Sequence, residues 1–138
     1  MINEPITVER IDELLAFLPG FEDPGRKYIE RWTGGKTAAG DLLWPHPVYA
    51  PDVVAFFRLA GQPCWCDYGY QPAEAGAMLA DDDLIRSASL EQVKTMLTFC
   101  VRGERFSDGH WSAMLREGRI TLLLRRLAVL RDQLAKGV

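Results

Sequence analysis

The stretch "RITLLLRRLAVLRDQLA" (119–135) is the clearest helix signal in the chain and decides the fold that we expect. Its aliphatic side chains recur at intervals of three and four residues, so they share one face of an α-helix. The stripe consists of Ile120, Leu123, Leu124, Leu127, Leu130 and Leu134. We therefore predict a long helix along the centre of a helical bundle, with its arginines on a solvated face.

Several shorter helices are predicted before this stretch from their start signals. The signals lie at Thr7, Asp23, Pro51, Pro72, Ser89 and at Ser107 or Asp108. The helix that begins at Asp23 would turn Tyr28 and Trp32 towards the core. Ser89 and Gln92 have the spacing of a capping box, in which each side chain bonds the backbone N–H of the other residue.

Two remaining segments are interrupted by proline and glycine. Residues 36–51 contain three prolines and are predicted to form a loop, with at most a short extended piece. For residues 62–70 we expect either one short strand or an aromatic loop. The expected fold is therefore all-α or nearly so, a compact single domain (1–138) of five to seven short helices.

The composition excludes several classes of protein. The 138 residues are 48% hydrophobic and 25% charged, as in a globular domain, and the net charge of −3 argues against a general binder of nucleic acid or membrane surfaces. The start of the chain lacks the pattern of a secretory signal, and no apolar run reaches the ~20 residues that span a bilayer. We therefore expect a cytoplasmic protein whose three cysteines are reduced thiols.

The segment "TFCVRGERFSDGHW" (98–111) is the main candidate for a site. Arg102 and Arg105 carry donors suited to a phosphate or carboxylate, and His110 would lie in the first turn of the following helix, whose N-terminus attracts anions. A structural interpretation stays open beside this one. In it, Asp108 caps the helix and the two arginines pair with Glu104, Asp108 or backbone carbonyls.

Aromatic residues in the neighbouring loops could complete such a site. Tyr49, Trp65 and Tyr70 have polar tips and flat faces suited to a nucleobase or sugar, as do Trp44 and Tyr68. The alternative is that these rings fill a core that short helices cannot close alone.

Signals for metal binding and catalysis are weak. Cys64 and Cys66 do not have the spacing of a structural zinc site and are interpreted as buried thiols. The acidic run 81–83 is interpreted as a solvated turn whose last member caps the next segment. No cofactor or metal is predicted, and no nucleotide-binding or hydrolase motif is present.

The candidate segment 98–111 also contains a recognisable sequence pattern. It has the pattern T-x-x-x-R-x-E-R-F-x-D-G-x-W from Thr98 to Trp111, followed by G-x-I-x-x-x-L-x-R-L from Gly118 to Leu127. With this pattern the chain resembles a bacterial family of uncharacterised small domains, over about residues 45–131. The resemblance implies no activity.

Three functions are compatible with these observations. We favour a non-catalytic module that binds a small, anionic, ring-containing ligand such as a nucleotide at the Arg102–His110 corner. Its predicted binding residues are Arg102, Arg105, Asp108, His110, Tyr70, Trp65 and Tyr49. The first alternative is an interaction or dimerisation module that uses Leu122 and Val129 of the last helix. A weaker one is a hydrolase built on Glu104, Asp108 and His110.

Overall fold

A computed structural model describes residues 4–36 and 38–136 of the chain. The helices are α1 (Val8–Leu15), α2 (Leu18–Phe21), α3 (Pro51–Ala60), α4 (Pro72–Leu79), α5 (Asp82–Arg86), α6 (Leu90–Arg102), α7 (His110–Arg116) and α8 (Arg119–Ala135), with single 3₁₀ turns at Pro63–Trp65 and Gly103–Arg105. The strands β1 (Ile29–Lys36) and β2 (Leu42–Tyr49) form an antiparallel hairpin. Within the described residues seven α-helices have five or more residues, which confirms the predicted nearly all-α fold of five to seven helices.

The last helix, α8, lies at the centre of the helical body, as its sequence predicts. Its residues Ile120, Leu123, Leu124 and Leu127 are completely buried, and α8 contacts α1, α2, α5, α6 and α7. The predicted stripe comes to the surface near its end, where Leu134 is 44% exposed. The first four residues of the stripe therefore form the seam around which the other helices pack.

The predicted helix starts are confirmed where the signal is local. The hydroxyl of Thr7 accepts the backbone N–H of Arg10 at 3.2 Å and caps α1. Ser89 and Gln92 form the expected capping box at the start of α6. Pro51 opens α3, where its missing N–H costs no hydrogen bond.

The hairpin contradicts two predictions. The helix predicted from Asp23 is wrong because the chain makes a turn there and then runs as β1, and most of the predicted loop at 36–51 is β2. Trp32, predicted to face the core, pairs with Pro47 across the hairpin and is 53% exposed. The few apolar residues at 28–32 fit a helical spacing equally well, and only pairing with a distant strand decides between the two structures.

A glycine makes the hairpin possible. The φ of Gly34 is +121°, a conformation that other residues rarely adopt. A Cβ at this position would lie 2.7 Å from the Cα of Pro45 on the opposite strand. The two strands can therefore approach here only because residue 34 has no side chain.

The segment 62–70 is an aromatic loop rather than a strand in the structure. After the 3₁₀ turn, the backbone N–H of Asp67 donates to the Thr98 hydroxyl at 2.9 Å, and that hydroxyl donates to the Trp65 carbonyl at 3.2 Å. One turn earlier on α6, the Thr95 hydroxyl donates to the Asp67 carboxylate at 2.7 Å. These bonds fix the loop against one face of α6.

No helix in the described parts of the chain has the length and apolar character needed to cross a membrane.

The central position of α8 can be tested by truncating its buried leucines. Leu124→Ala or Leu127→Ala should each lower the free energy of unfolding by about 2–5 kcal/mol, because each leaves a cavity in a closed core. Leu134→Ala, in the same helix but half exposed, should cost less than about 1 kcal/mol. Chemical denaturation measures all three. Losses below about 1 kcal/mol at both core positions would contradict the central seam.

Candidate ligand-binding site

The corner between α6 and α7 is held by the carboxylate of Glu104. Its Oε2 accepts the backbone N–H of Gly109 at 2.9 Å, and its Oε1 accepts the backbone N–H of Trp111 at 2.9 Å. The same Oε1 accepts the hydroxyl of Tyr49 at 2.7 Å. The N-terminus of α7, expected to attract an external anion, is therefore already occupied by a carboxylate of the protein itself.

This arrangement corrects the prediction that Ser107 or Asp108 caps α7. Gly109 is the capping residue, with a φ of +90°, and no side chain of the adjoining residues bonds the helix start. The Asp108 carboxylate is exposed and makes no hydrogen bond or ion pair with any described residue. The carboxylate that accepts the N–H groups at the start of α7 belongs to Glu104, five residues before Gly109. It reaches them because the intervening turn folds back on itself.

Tyr49 and Trp111 bind the hairpin to the helical body at this corner. Burial, together with the neighbouring Glu104 carboxylate, raises the pKa of Tyr49, so the phenol keeps its proton and donates it. The Trp111 indole stacks on Phe57, with ring centroids 4.5 Å apart, and its Nε1 donates to the Val101 carbonyl at 3.0 Å. The Glu104 carboxylate, the Tyr49 hydroxyl and the Trp111 indole N–H therefore form their hydrogen bonds inside the protein.

The two arginines of the corner do not take part in that bonding. The guanidinium carbon of Arg102 lies 5.6 Å from the ring centroid of Tyr70 and 5.9 Å from that of Tyr68. Arg105 is exposed. Within residues 4–36 and 38–136, neither arginine forms an ion pair with a carboxylate, contrary to the structural interpretation of the sequence.

A pocket of about 450 Å³ is lined in part by Tyr70, the ring over which the Arg102 guanidinium lies. It is lined by Tyr70, Pro72, Phe99, Gly103, Phe106, Ser107 and His110. The lining is largely apolar, and Phe106 is 84% exposed, so a large aromatic ring borders open solvent. Exposed aromatic rings around a concave surface are typical of a ligand site.

His110 forms one wall of this pocket in an unusual environment. Its ring meets Phe99 edge to face, with centroids 5.2 Å apart, and its Nε2 is buried without a hydrogen-bond partner. A Cβ at position 103 would lie 2.3 Å from Nε2, so the imidazole packs directly on Gly103. Burial lowers the pKa of His110, while Glu104 and a backbone hydrogen bond to Phe99 partly oppose this shift. The fold therefore favours the neutral imidazole over the charged one.

The structure brings together three of the predicted binding residues, namely Arg102, Tyr70 and His110. Trp65 is 1% exposed and lies in the core, and the hydroxyl of Tyr49 is engaged by Glu104, so these rings offer no surface to a ligand. Arg105 and Asp108 are exposed outside the pocket lining.

Several lining residues were missed by the sequence analysis. Phe106 is a fixed residue of the R-x-E-R-F motif and Gly103 stands at its variable position, whereas Phe99 precedes Gly103 by about one helical turn and so lies on the same side of α6. This spacing was the available signal.

The acidic run and the cysteines do not form a metal site. Asp81 caps α5 through the Leu84 N–H, whereas Asp82 and Asp83 pair with arginines, so the first member of the run caps and not the last. The three cysteines are free thiols, two of them buried. Among the described residues no group of three or more His, Cys, Asp or Glu side chains could hold a metal ion.

The arginines of α8 are bonded within the protein. Arg119 donates to Asp82 and to the Leu79 carbonyl, and Arg125 donates to Glu22. Arg126 donates to the Ala88 carbonyl, and Arg131 donates to Asp12. Beside them, Leu122 and Val129 line a shallow groove of about 280 Å³ together with Arg86, Arg125 and Arg126. This groove contains both residues that the sequence predicts for interaction or dimerisation.

The chain folds as a small, mostly helical domain. Glu104 holds the turn between α6 and α7, and aromatic residues line a pocket beside that turn. The chain belongs to the family of unknown function DUF6508, whose model matches residues 6–133. The resemblance found in the sequence is thereby confirmed. No curated protein and no solved structure matches the chain.

Glu104 should matter far more for stability than its neighbour Asp108. Glu104→Ala leaves two backbone N–H groups and a buried phenol without an acceptor, so the free energy of unfolding should fall by about 1–3 kcal/mol or more. Asp108→Ala removes an exposed carboxylate from the same turn and should change it by less than about 0.5 kcal/mol. Chemical denaturation compares the two variants. Equal losses would show that Glu104 does not hold the corner.

His110 should give the stability a pH dependence. Because its pKa in the folded protein lies below the ordinary value of 6.5, its contribution to stability is complete above pH 6.5 and is lost as the pH falls below it. The free energy of unfolding should therefore decrease more steeply in the wild type than in His110→Gln between about pH 7 and 5.

Denaturation titrations across that range measure the two slopes. His46→Gln, on an exposed position of β2, is the matched control for removing a histidine. If His110→Gln and the wild type lose stability in parallel, the imidazole is not held neutral by the fold.

Proposed function

We propose that this domain is a non-catalytic binding module for a small, anionic, ring-containing ligand, and that the pocket beside Arg102 is its site. One observation carries the proposal. An arginine without an acidic partner among the described residues stands beside a largely apolar pocket of about 450 Å³. We also propose the cytoplasm as its location, consistent with three free thiols.

The pocket lining supports a ligand with a ring. Tyr70, Phe99 and Phe106 present aromatic surface, and burial of a flat ring against such surface gains hydrophobic and stacking energy. The volume is within the range of small-molecule sites. Arg102 supports an acidic group on the ligand, because its guanidinium can donate two parallel hydrogen bonds to a carboxylate or phosphate.

The weaker hydrolase hypothesis has less support. The Glu104 carboxylate is already bonded by three donors, and Asp108 is outside the pocket lining. An acid–base pair would need both groups within reach of one bound substrate. The arrangement favours binding over hydrolysis.

The groove along α8 supports a second candidate function. Leu122 and Val129, predicted as an interaction surface, line it together, and Val129 is exposed. An apolar strip with arginines at its rim suits an acidic partner segment or a second copy of the chain. The ligand pocket lies on other elements, so the two functions do not exclude each other.

A thermal-shift panel tests the ligand-binding proposal. Adenosine monophosphate, phenylacetate and inorganic phosphate are titrated against the wild type, where a ligand at a hundred times its dissociation constant stabilises by ~2.7 kcal/mol. At least one ring-containing anion should raise the melting temperature. Ser107→Trp, which fills the pocket from an exposed position of its lining, should abolish that shift.

The control is Arg58→Gln, which removes an exposed arginine from the last turn of α3 and should leave the shift unchanged. A shift that survives Ser107→Trp would place binding outside this pocket. A panel without any shift would leave the interaction module as the better hypothesis.

A further inference from the structure

We propose that the ligand of this pocket is an aromatic monocarboxylate and not a nucleotide. This inference rests on the binding function proposed above and narrows it to one chemical class. It follows from three properties of the site, which are its number of positive charges, its few hydrogen-bonding groups and the position of Arg102 next to an aromatic wall.

The positive charge at the site suits a ligand that carries one negative charge. Among the residues that the structure describes, Arg102 is the cation that lies over a ring of the pocket lining, that of Tyr70. Neither arginine is itself among the described lining residues, but Arg105 is exposed and lies over no ring of that lining, and the helix N-terminus that would assist a phosphate is filled by Glu104. A phosphate monoester carries about −1.5 to −2 charges at pH 7, whereas a carboxylate carries one and fits a single guanidinium.

The hydrogen-bonding capacity of the lining is low. Ser107 and Tyr70 each supply one hydroxyl, whereas the Nε2 of His110 is buried against Gly103. A nucleobase and its ribose bring many polar atoms, and each one buried without a partner costs free energy. An unsubstituted aromatic ring has no such atoms and therefore fits the lining better.

The position of Arg102 beside Tyr70 also suits a ligand in which an acidic group is attached to an aromatic ring. Tyr70 forms part of the pocket wall and also supports the guanidinium, whose carbon lies 5.6 Å from the ring centroid. A ligand ring packed against Tyr70 would place an acidic group on a short side chain beside the guanidinium. The loop that carries Tyr70 is fixed to α6 through Thr95 and Thr98, so little ordering is needed on binding.

Isothermal titration with matched ligands tests the inference. Phenylacetate and its neutral amide, phenylacetamide, share a ring and a chain and differ in charge. Phenylacetate should bind the wild type roughly tenfold more tightly than the amide, because a hydrogen bond to a charged group is the stronger one. Adenosine monophosphate should bind more weakly than phenylacetate.

The variants separate the role of charge from that of the pocket. Arg102→Gln should reduce the affinity for phenylacetate to that for the amide and leave the affinity for the amide unchanged. Arg58→Gln should change neither. A loss of binding of both ligands in Arg102→Gln, with circular dichroism showing an intact fold, would contradict a role confined to the acid group.

The remaining outcomes each decide between the two proposals. If adenosine monophosphate binds at this pocket and phenylacetate does not, the inference is overturned and the binding function stands. If phenylacetate and phenylacetamide bind equally, the pocket is occupied without the aid of Arg102 and the inference is overturned. If no ring-containing ligand binds, both proposals fail.

Discussion

The bonds of the Glu104 carboxylate join the end of the hairpin to the start of α7. A half-buried carboxylate needs several donors to offset the cost of leaving water, and here two backbone N–H groups and the Tyr49 phenol supply them. One donor lies at the end of the hairpin and two lie at the start of α7. The geometry of the corner, and hence the position of the pocket beside it, depends on this one side chain.

That use of Glu104 also explains why the arginines of the motif are available. A glutamate flanked by Arg102 and Arg105 would ordinarily be expected to pair with one of them. Its oxygens are turned instead towards the helix start and the phenol, which leaves Arg102 over the rings of Tyr68 and Tyr70. A structural role for one residue of the motif therefore permits a binding role for another.

The fold was predictable from sequence where the signal was local. The stripe of α8, the Thr7 cap and the Ser89–Gln92 box depend on residues three or four positions apart, and the structure contains all of them. The hairpin was not predictable in this way, because β1 gains its hydrogen bonds from residues of a second strand, from Lys36 paired with Leu42 to Ile29 paired with Tyr49, and not from its own neighbours in sequence. The same limit applied to the site. Arg102, Tyr70 and His110 were identified by type, whereas the partners of Glu104 and the burial of Trp65 depend on tertiary packing.

The prolines of the hairpin have a consequence for the behaviour of the protein in solution. A two-stranded sheet has two free edges, and this one carries Trp44 with its side chain 83% exposed, a combination that favours aggregation through strand addition. Pro45 and Pro47 remove two N–H donors from β2, and on β1 the register is irregular beside Gly34 and Gly35. Neither edge can therefore offer an unbroken ladder to an incoming strand, which opposes strand addition beside the exposed Trp44.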